Sequence, residues 1–125
     1  MDISMEDYMK EYLDIVMGYN SESREYRFLP HHKFLQEFFM FMRKESNRLK
    51  TFTERDFIWP YDVSAELLAK EGFIYWNYSR IQCIYCKGIV RGGNNEPIMK
   101  HSRQYCYCPY INGVKIEEIP LTIIL

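Results

Sequence analysis

Four potential metal ligands lie close together in the last third of the chain, and their spacing limits the possible folds more than any other feature. Two residues separate Cys83 from Cys86, fourteen separate Cys86 from His101, and either Cys106 or Cys108 completes the set. Zinc prefers thiolate sulfur and imidazole nitrogen, and a tight turn between two cysteines directs both sulfurs toward one ion. The spacing predicts one structural Zn2+, and it leaves the choice between Cys106 and Cys108 open.

Length and composition support one compact domain that depends on this metal. The chain has 125 residues, of which 47% are hydrophobic and 26% are charged, so its core is modest without a further constraint. A structural zinc contributes on the order of 10 kcal/mol of folding free energy in small metallo-domains. We therefore expect metal removal to unfold or loosen residues 73–108.

Charge and hydropathy argue against nucleic-acid and membrane partners. The formal net charge is -1, which provides no general positive field for a phosphate backbone. A short basic run, interpreted as a solvated helix face, comprises Arg43, Lys44, Arg48 and Lys50. No apolar run is long enough to predict a membrane span, and acidic residues stand near the start where a signal peptide carries positive charge. We expect a cytoplasmic protein.

Two amphipathic helices are predicted before residue 48. The first begins after Ser4 and ends at Gly18, and its acidic outer face comprises Glu6, Asp7, Glu11 and Asp14. A loop over 19–29 precedes the second helix, which is predicted from Pro30 to about Arg48.

Apolar side chains cover more than half of the circumference of this second helix. Either the first helix and the zinc domain enclose it, or another copy of the chain covers its second face. The self-association surface predicted on this basis comprises Phe34, Phe38, Phe39, Phe41 and Met42.

A short helix, a three-stranded antiparallel sheet and a last helix are predicted around the zinc ligands. The short helix starts near Asp62 or Ser64 and ends at Gly72, a residue type that suits a left-handed C-terminal cap. Pro97 begins the last helix, which carries His101. The strands are predicted from β-rich runs at 73–76, 80–85 and 88–91.

Several short motifs follow one another in a fixed order between Arg48 and Ile111. They are Arg48-Leu-Lys-Thr-Phe52, Trp59-Pro60, Leu68-Ala-Lys-Glu-Gly-Phe73, Cys83-Ile-Tyr-Cys86 with Gly88, Glu96-Pro97, and His101 with Cys108. Together they resemble the baculoviral IAP repeat, or BIR domain, of the inhibitor-of-apoptosis family, in the form of a divergent viral-type protein with a single such domain. The resemblance implies that Cys108 is the fourth zinc ligand and that Cys106 is a spare thiol.

The resemblance also implies an α+β fold in three parts. A BIR-like zinc domain is expected over 48–112, after an N-terminal helical extension over 1–47. The apolar tail over 113–125 is too hydrophobic to remain free in solvent, so we expect it to dock on the domain.

The implied function is a non-enzymatic protein-interaction module that suppresses host cell death by binding caspases or other apoptotic regulators, in the host cell cytoplasm if the source is viral. The alternative is a zinc-stabilised, dimerising interaction or scaffold protein without an apoptotic role. A RING-type ubiquitin ligase is excluded on this chain, because a RING needs two complete sets of metal ligands and the chain has only four Cys and three His.

One departure from the family concerns its peptide groove. Peptide-binding members hold the ammonium of an N-terminal Ala with acidic groups and cover the peptide with a tryptophan. The matching positions in this chain are Asn95, Lys100 and Gln104. Lys100 repels an ammonium group, and Gln104 supplies no aromatic lid. The resemblance therefore implies a degenerate groove that does not take an Ala-initiated tetrapeptide.

Overall fold

The computed structural model describes residues 4–17, 31–55, 58–92 and 96–120. Its helices are α1 (Met5–Met17), α2 (His31–Phe41), α3 (Glu45–Thr53), α4 (Ala65–Lys70) and α5 (Pro97–Gln104), and its strands are β1 (Phe73–Asn77), β2 (Arg80–Cys83) and β3 (Ile89–Arg91). A 3-10 helix, Ile116–Glu118, follows α5. The loop predicted over 19–29, the helix start predicted at Pro30 and the end of the tail lie outside the described residues.

The three strands form one antiparallel sheet in the order β1-β2-β3, as predicted. Phe73 pairs with Cys83, and Ile74 pairs with Gln82. Because successive side chains of a strand point to opposite faces, these two pairs lie on opposite faces of the sheet. All four side chains are buried, so the sheet is covered on both faces.

Helix α1 covers the face that carries Gln82. The hydroxyl of Tyr12 donates a hydrogen bond of 2.6 Å to Oε1 of Gln82, and both side chains are buried. The main-chain N–H of Asp7 donates to Oγ of Ser4 at 3.1 Å, so Ser4 caps the helix as predicted. Asp14 was predicted on the acidic outer face, but it is only 9% exposed because it lies on the side of α1 that turns toward the protein.

One side of helix α2 is covered by the same chain. The rings of Tyr12 and Phe38 stack with their centroids 3.9 Å apart, and the Lys87 ammonium lies 4.4 Å from the centroid of the Phe39 ring. The side chains that are buried as a result include Phe34, Phe38, Phe39 and Met42. Of the predicted self-association surface, only Phe41 is exposed, at 40%. Of the two alternatives for covering this helix, contacts within the chain from α1 and from the turn at Lys87 account for these buried side chains, and self-association stays a prediction.

The long second helix of the prediction is two helices. Helix α2 ends at Phe41 and α3 begins at Glu45, and the buried side chain of Arg48 explains the break. Its guanidinium donates to the carbonyl oxygens of Met42 at 3.0 Å, Arg43 at 2.9 Å and Ala69 at 2.7 Å. Carbonyl groups that point at a side chain no longer continue a helix. Arg48 is 2% exposed and was wrongly assigned to a solvated face.

The remaining predicted helices agree closely with the structure. The main-chain N–H of Leu67 donates to Oγ of Ser64 at 3.1 Å, which caps the start of α4. Gly72 follows α4 with a φ of 99°, the left-handed conformation expected of it. Pro97 occupies the first turn of α5. No helix among the described residues is both long and apolar enough to cross a lipid bilayer.

The first part of the tail contacts the loop between α2 and α3. The Arg43 guanidinium donates to the carbonyl oxygen of Ile116 at 2.9 Å and also to that of Ile119. Ile119 is 3% exposed. Docking of the whole tail over 113–125 stays a prediction, since residues 121–125 lie outside the described part of the chain.

Candidate metal centre

The four predicted ligands come from the end of β2 and the turn after it, and from α5 and the segment that follows it. Cys83 ends β2, Cys86 lies in the turn that leads to β3, His101 lies in α5, and Cys108 lies in the turn after α5. The first turn is closed by two main-chain hydrogen bonds of Cys83: its carbonyl accepts from the N–H of Lys87 at 2.8 Å, and its own N–H donates to the carbonyl of Gly88 at 2.9 Å. Backbone hydrogen bonds thus position the two cysteines of this turn.

The distances among the ligand atoms fit one tetrahedral zinc ion. The sulfur atoms of Cys83 and Cys108 are 3.8 Å apart, and the sulfur of Cys86 is 3.3 Å from Nε2 of His101. All four ligand atoms lie within 4.8 Å of one another. Zinc–sulfur bonds of about 2.3 Å place two sulfurs of a tetrahedron about 3.8 Å apart. Cys106 is exposed and does not belong to this group.

The ligand side chains are largely shielded from solvent and interact strongly with one another. Hydrogen bonding to Cys108 and Cys86 raises the pKa of the Cys83 thiol. Burial acts to lower the pKa of His101, but hydrogen bonds to Cys108 and Cys86 outweigh it and raise that pKa to about 9. Zinc needs deprotonated thiolates and a neutral imidazole, so its binding must release these protons. Acid therefore competes with the metal.

Lys87 and Gly88, which follow the ligand Cys86, have structural roles that the sequence did not reveal. Lys87, rather than a glycine, has the positive φ of the first turn, at 65°. Gly88 is needed for a different reason: a Cβ atom there would lie 2.7 Å from carbon atoms of the Tyr105 ring. The aromatic side chain after α5 therefore packs directly against the turn that holds Cys86. A glycine at position 88 is consistent with another group lying close to the backbone, but no nearby sequence pattern identified that group as the Tyr105 ring.

Two of the three predicted groove residues line one cleft between β3 and α5. Lys100 and Gln104 lie there on the helix side, in a cavity of about 340 Å3. The cleft is completed by Arg80, Ile89, Val90 and Arg91. Asn95 lies outside the described residues. The contributions of Arg80 and Arg91 were missed, although the sheet register places them opposite each other on β2 and β3.

Comparison with known proteins agrees with this geometry. Residues 48–112 match the BIR family, which is described as the inhibitor of apoptosis domain. A search of curated proteins finds no match to the chain. BIR domains bind structural zinc, and Cys83, Cys86, His101 and Cys108 form a group suited to one such ion.

Proposed function

The chain belongs to the BIR, or inhibitor of apoptosis domain, family, and from that premise we propose that it is a non-enzymatic protein-interaction module that suppresses host cell death. Its proposed partners are caspases or other regulators of apoptosis in the host cytoplasm. The observation that carries this proposal is the closed ligand set of Cys83, Cys86, His101 and Cys108. Three thiolates and one imidazole complete a zinc tetrahedron and leave no position for a catalytic water, so the metal stabilises a binding scaffold.

The peptide groove of the family is altered in a way that favours other contacts. Lys100 lines the cleft between β3 and α5, and we propose that it takes the position where peptide-binding relatives need an acceptor for an ammonium group. A nearby cation repels that ammonium by about 1 kcal/mol in water and by more where the pair is desolvated. We therefore propose that the cell-death partner is not recognised through an N-terminal Ala.

Helix α2 offers a second contact surface outside the cleft. Met40 and Phe41 are 57% and 40% exposed, although the apolar side chains before them on the helix, at Phe34, Leu35, Phe38 and Phe39, are buried. Exposed apolar side chains that adjoin a packed core are suitable anchors for a protein partner. Together with the flanking surface of α1, they form the N-terminal binding surface that we propose for apoptotic regulators.

The test is direct capture of defined partners by the zinc-loaded full chain. Purified caspases and their antagonists are passed over the immobilised protein, and inhibition of caspase cleavage is measured in parallel. We expect binding of at least one of them, weakened by Met40→Asp together with Phe41→Asp and unchanged by the control Lys33→Glu. If neither caspases nor antagonists bind at tens of micromolar, the proposed apoptotic role is wrong.

A further inference from the structure

A cavity of about 490 Å3 lies between the end of α3 and the start of α4, and it shares no lining residue with the cleft between β3 and α5. Its aromatic walls are Phe52, Trp59 and Tyr61, and Asp62 and Glu66 line it with carboxylates. Ligand-binding cavities usually measure about 300–1,000 Å3. The cavity is therefore large enough to receive a side chain of a partner.

The indole ring of Trp59 forms a fixed wall of this cavity. Its N–H donates to the carbonyl of Val63 at 2.8 Å, and the ring centroid lies 5.1 Å from that of Phe52 at an interplanar angle of 82°. A Cβ atom at Gly92 would lie 2.7 Å from Cη2 of the indole, so the ring also lies against the main chain there. A ring that is held at three points loses little conformational entropy when a ligand binds to it.

Tyr61 adds a second aromatic surface that solvent reaches. The centroids of the Tyr61 and Trp59 rings are 4.8 Å apart with an interplanar angle of 71°, and Tyr61 is 36% exposed. Both rings line the cavity. The face of an aromatic ring is electron-rich and attracts a cation, most strongly for Trp. These rings therefore favour a positively charged group over a neutral one.

The charges of the cavity favour the same kind of ligand. Asp62 and Glu66 are exposed, and no hydrogen bond or ion pair with another residue of the described ranges holds either carboxylate. Arg55 is the one cation among the described lining residues. Its guanidinium lies 4.0 Å from the centroid of the Tyr75 ring and donates to the carbonyl of Thr51 at 3.2 Å. Because Arg55 is engaged there, the two carboxylates set the sign of the charge offered to a ligand.

The start of α4 sets the positions of both carboxylates. Oγ of Ser64 accepts from the N–H of Leu67, so Glu66 lies in the first turn of the helix and Asp62 lies two residues before its cap. A negative side chain in the first turn stabilises a helix through its dipole, which gives Glu66 a structural role. That role accounts neither for Asp62, which precedes the helix, nor for the aromatic rings beside it.

We propose that this aromatic and acidic cavity binds a cationic side chain, lysine or arginine, from a basic segment of a protein partner. The cation lies against the rings of Trp59 and Tyr61 and pairs with the carboxylates of Asp62 and Glu66. Charge complementarity selects the occupant, because the carboxylates repel an acidic segment and the rings favour a cation. The proposal goes beyond the function given above, since this second site needs neither the α2 surface nor an apoptotic partner.

The primary experiment compares blocked peptides that differ only at two positions. Each has about eight residues, otherwise Gly and Ser, and the two positions carry lysine, arginine, trimethyl-lysine, norleucine or glutamate. Dissociation constants with the zinc-loaded full chain are measured by NMR titration at about 0.05 M and about 0.3 M salt. We expect the three cationic peptides to bind about tenfold more tightly than the norleucine and glutamate peptides, and to weaken with salt.

The other peptides provide the outcomes that would overturn the proposal. A norleucine peptide as tight as the lysine peptide would make the cavity an apolar docking site. A glutamate peptide that binds best would make it an anion site. A trimethyl-lysine peptide as weak as the norleucine peptide would remove the rings from recognition. Failure of every cationic peptide to bind at about 10 mM would leave no cation site at all.

Charge-neutralising variants locate the site. Asp62→Asn combined with Glu66→Gln removes both charges with little change of size, and it should weaken the lysine peptide by about tenfold. Glu117→Gln combined with Glu118→Gln is the matched control, because both residues are exposed on the 3-10 helix, which contacts the loop before α3 rather than its end. Thermal melting checks that each variant is folded. An equal loss in the control would show that net charge alone attracts the peptide, and the site would be wrong.

The aromatic contribution is tested separately from charge. Tyr61→Leu should weaken the lysine peptide by about fivefold, whereas Tyr61→Phe keeps the ring and should stay within about twofold of the unmodified chain. The chain has two tryptophans, and the indole N–H signal of Trp59 should move on titration while that of Trp76, which is 7% exposed, stays in place. Unchanged binding by Tyr61→Leu, or a shift confined to Trp76, would refute the cation site.

Discussion

Arg48 illustrates how a single residue can determine local structure that its neighbours in sequence do not reveal. Within the sequence it belongs to a basic run, and such runs usually face solvent. In the structure it is buried and donates to carbonyls from the α2–α3 turn and from Ala69 at the end of α4. Its guanidinium also contacts the hydroxyl of Tyr85 at 3.2 Å. Because one acceptor lies on a distant helix, no local pattern could have predicted the burial.

Replacing Arg48 should destabilise the protein strongly. Arg48→Met keeps much of the apolar stem but leaves several buried carbonyls without a donor, so we expect the free energy of unfolding to fall by about 3 kcal/mol. Lys50→Met, at an exposed position of the same helix, is the control and should change it by about 0.5 kcal/mol or less. Urea denaturation measures both. Similar values for the two variants would contradict the structural role of Arg48.

The zinc ligands are distinguished from the spare thiol by a pair of serine variants. Cys108→Ser removes a buried ligand and should lower the zinc content and the melting temperature, because zinc binding is coupled to folding. Cys106→Ser, at the exposed cysteine, should change neither. Metal analysis and thermal melting are the measurements. Loss of zinc from Cys106→Ser, with retention in Cys108→Ser, would reverse the ligand assignment.

The groove residues predict weak binding of the ligands typical of the family. Lys100 and Gln104 line the cleft, and we expect an Ala-initiated tetrapeptide to bind no better than about millimolar. Lys100→Glu combined with Gln104→Trp supplies an acceptor and a lid, and it should give a measurable gain in affinity. Isothermal titration calorimetry checks both. Micromolar binding to the unmodified chain would show that the positions were matched wrongly.

At the scale of elements, the boundaries that were predicted correctly are those set by residues close to one another in the sequence. The ends of α4 and α5 were predicted well because Ser64, Gly72 and Pro97 set them through contacts within a few residues. The Cys-turn-Cys motif likewise located the metal centre. The division between α2 and α3 could not be predicted, and the choice between the two alternatives for covering α2 stayed open, since both depend on contacts made after the chain has folded.

The cover of α2 leads to a comparison between two phenylalanines on the same helix. Phe38 is fully buried against Tyr8 and Tyr12, whereas Phe41 is 40% exposed. We expect Phe38→Ala to lower the free energy of unfolding by about 3–5 kcal/mol. Phe41→Ala should cost about 1 kcal/mol, because less apolar area leaves water on folding. Chemical denaturation of both variants is the test, and equal costs would argue against the packing of α1 on α2.

At the scale of the whole molecule, one chain of polar contacts joins the N-terminal helices to the metal centre. Tyr12 on α1 donates to Gln82 on β2, and the amide of Gln82 donates to the Lys87 carbonyl at 3.1 Å. Lys87 follows Cys86 directly, and its ammonium lies over the Phe39 ring. Buried polar groups are costly when their partners are removed. The helices before residue 48 and the zinc-binding part should therefore unfold together.

This connection predicts the behaviour of a chain shortened to begin at Phe41, which keeps the carbonyls bound by Arg48 but lacks α1 and most of α2. Its sheet loses the cover over Ile74 and Gln82, so we expect several kcal/mol of lost stability and a tendency to aggregate. We expect the full chain to be monomeric at tens of micromolar, because Met40 and Phe41 are the exposed apolar side chains among the described residues of α2, and two such side chains offer far less area than a stable interface needs. Light scattering and thermal melting of both forms decide the matter. A dimeric full chain would restore α2 as a self-association surface, and unchanged stability of the shortened chain would make the N-terminal helices an accessory arm rather than part of the folded core.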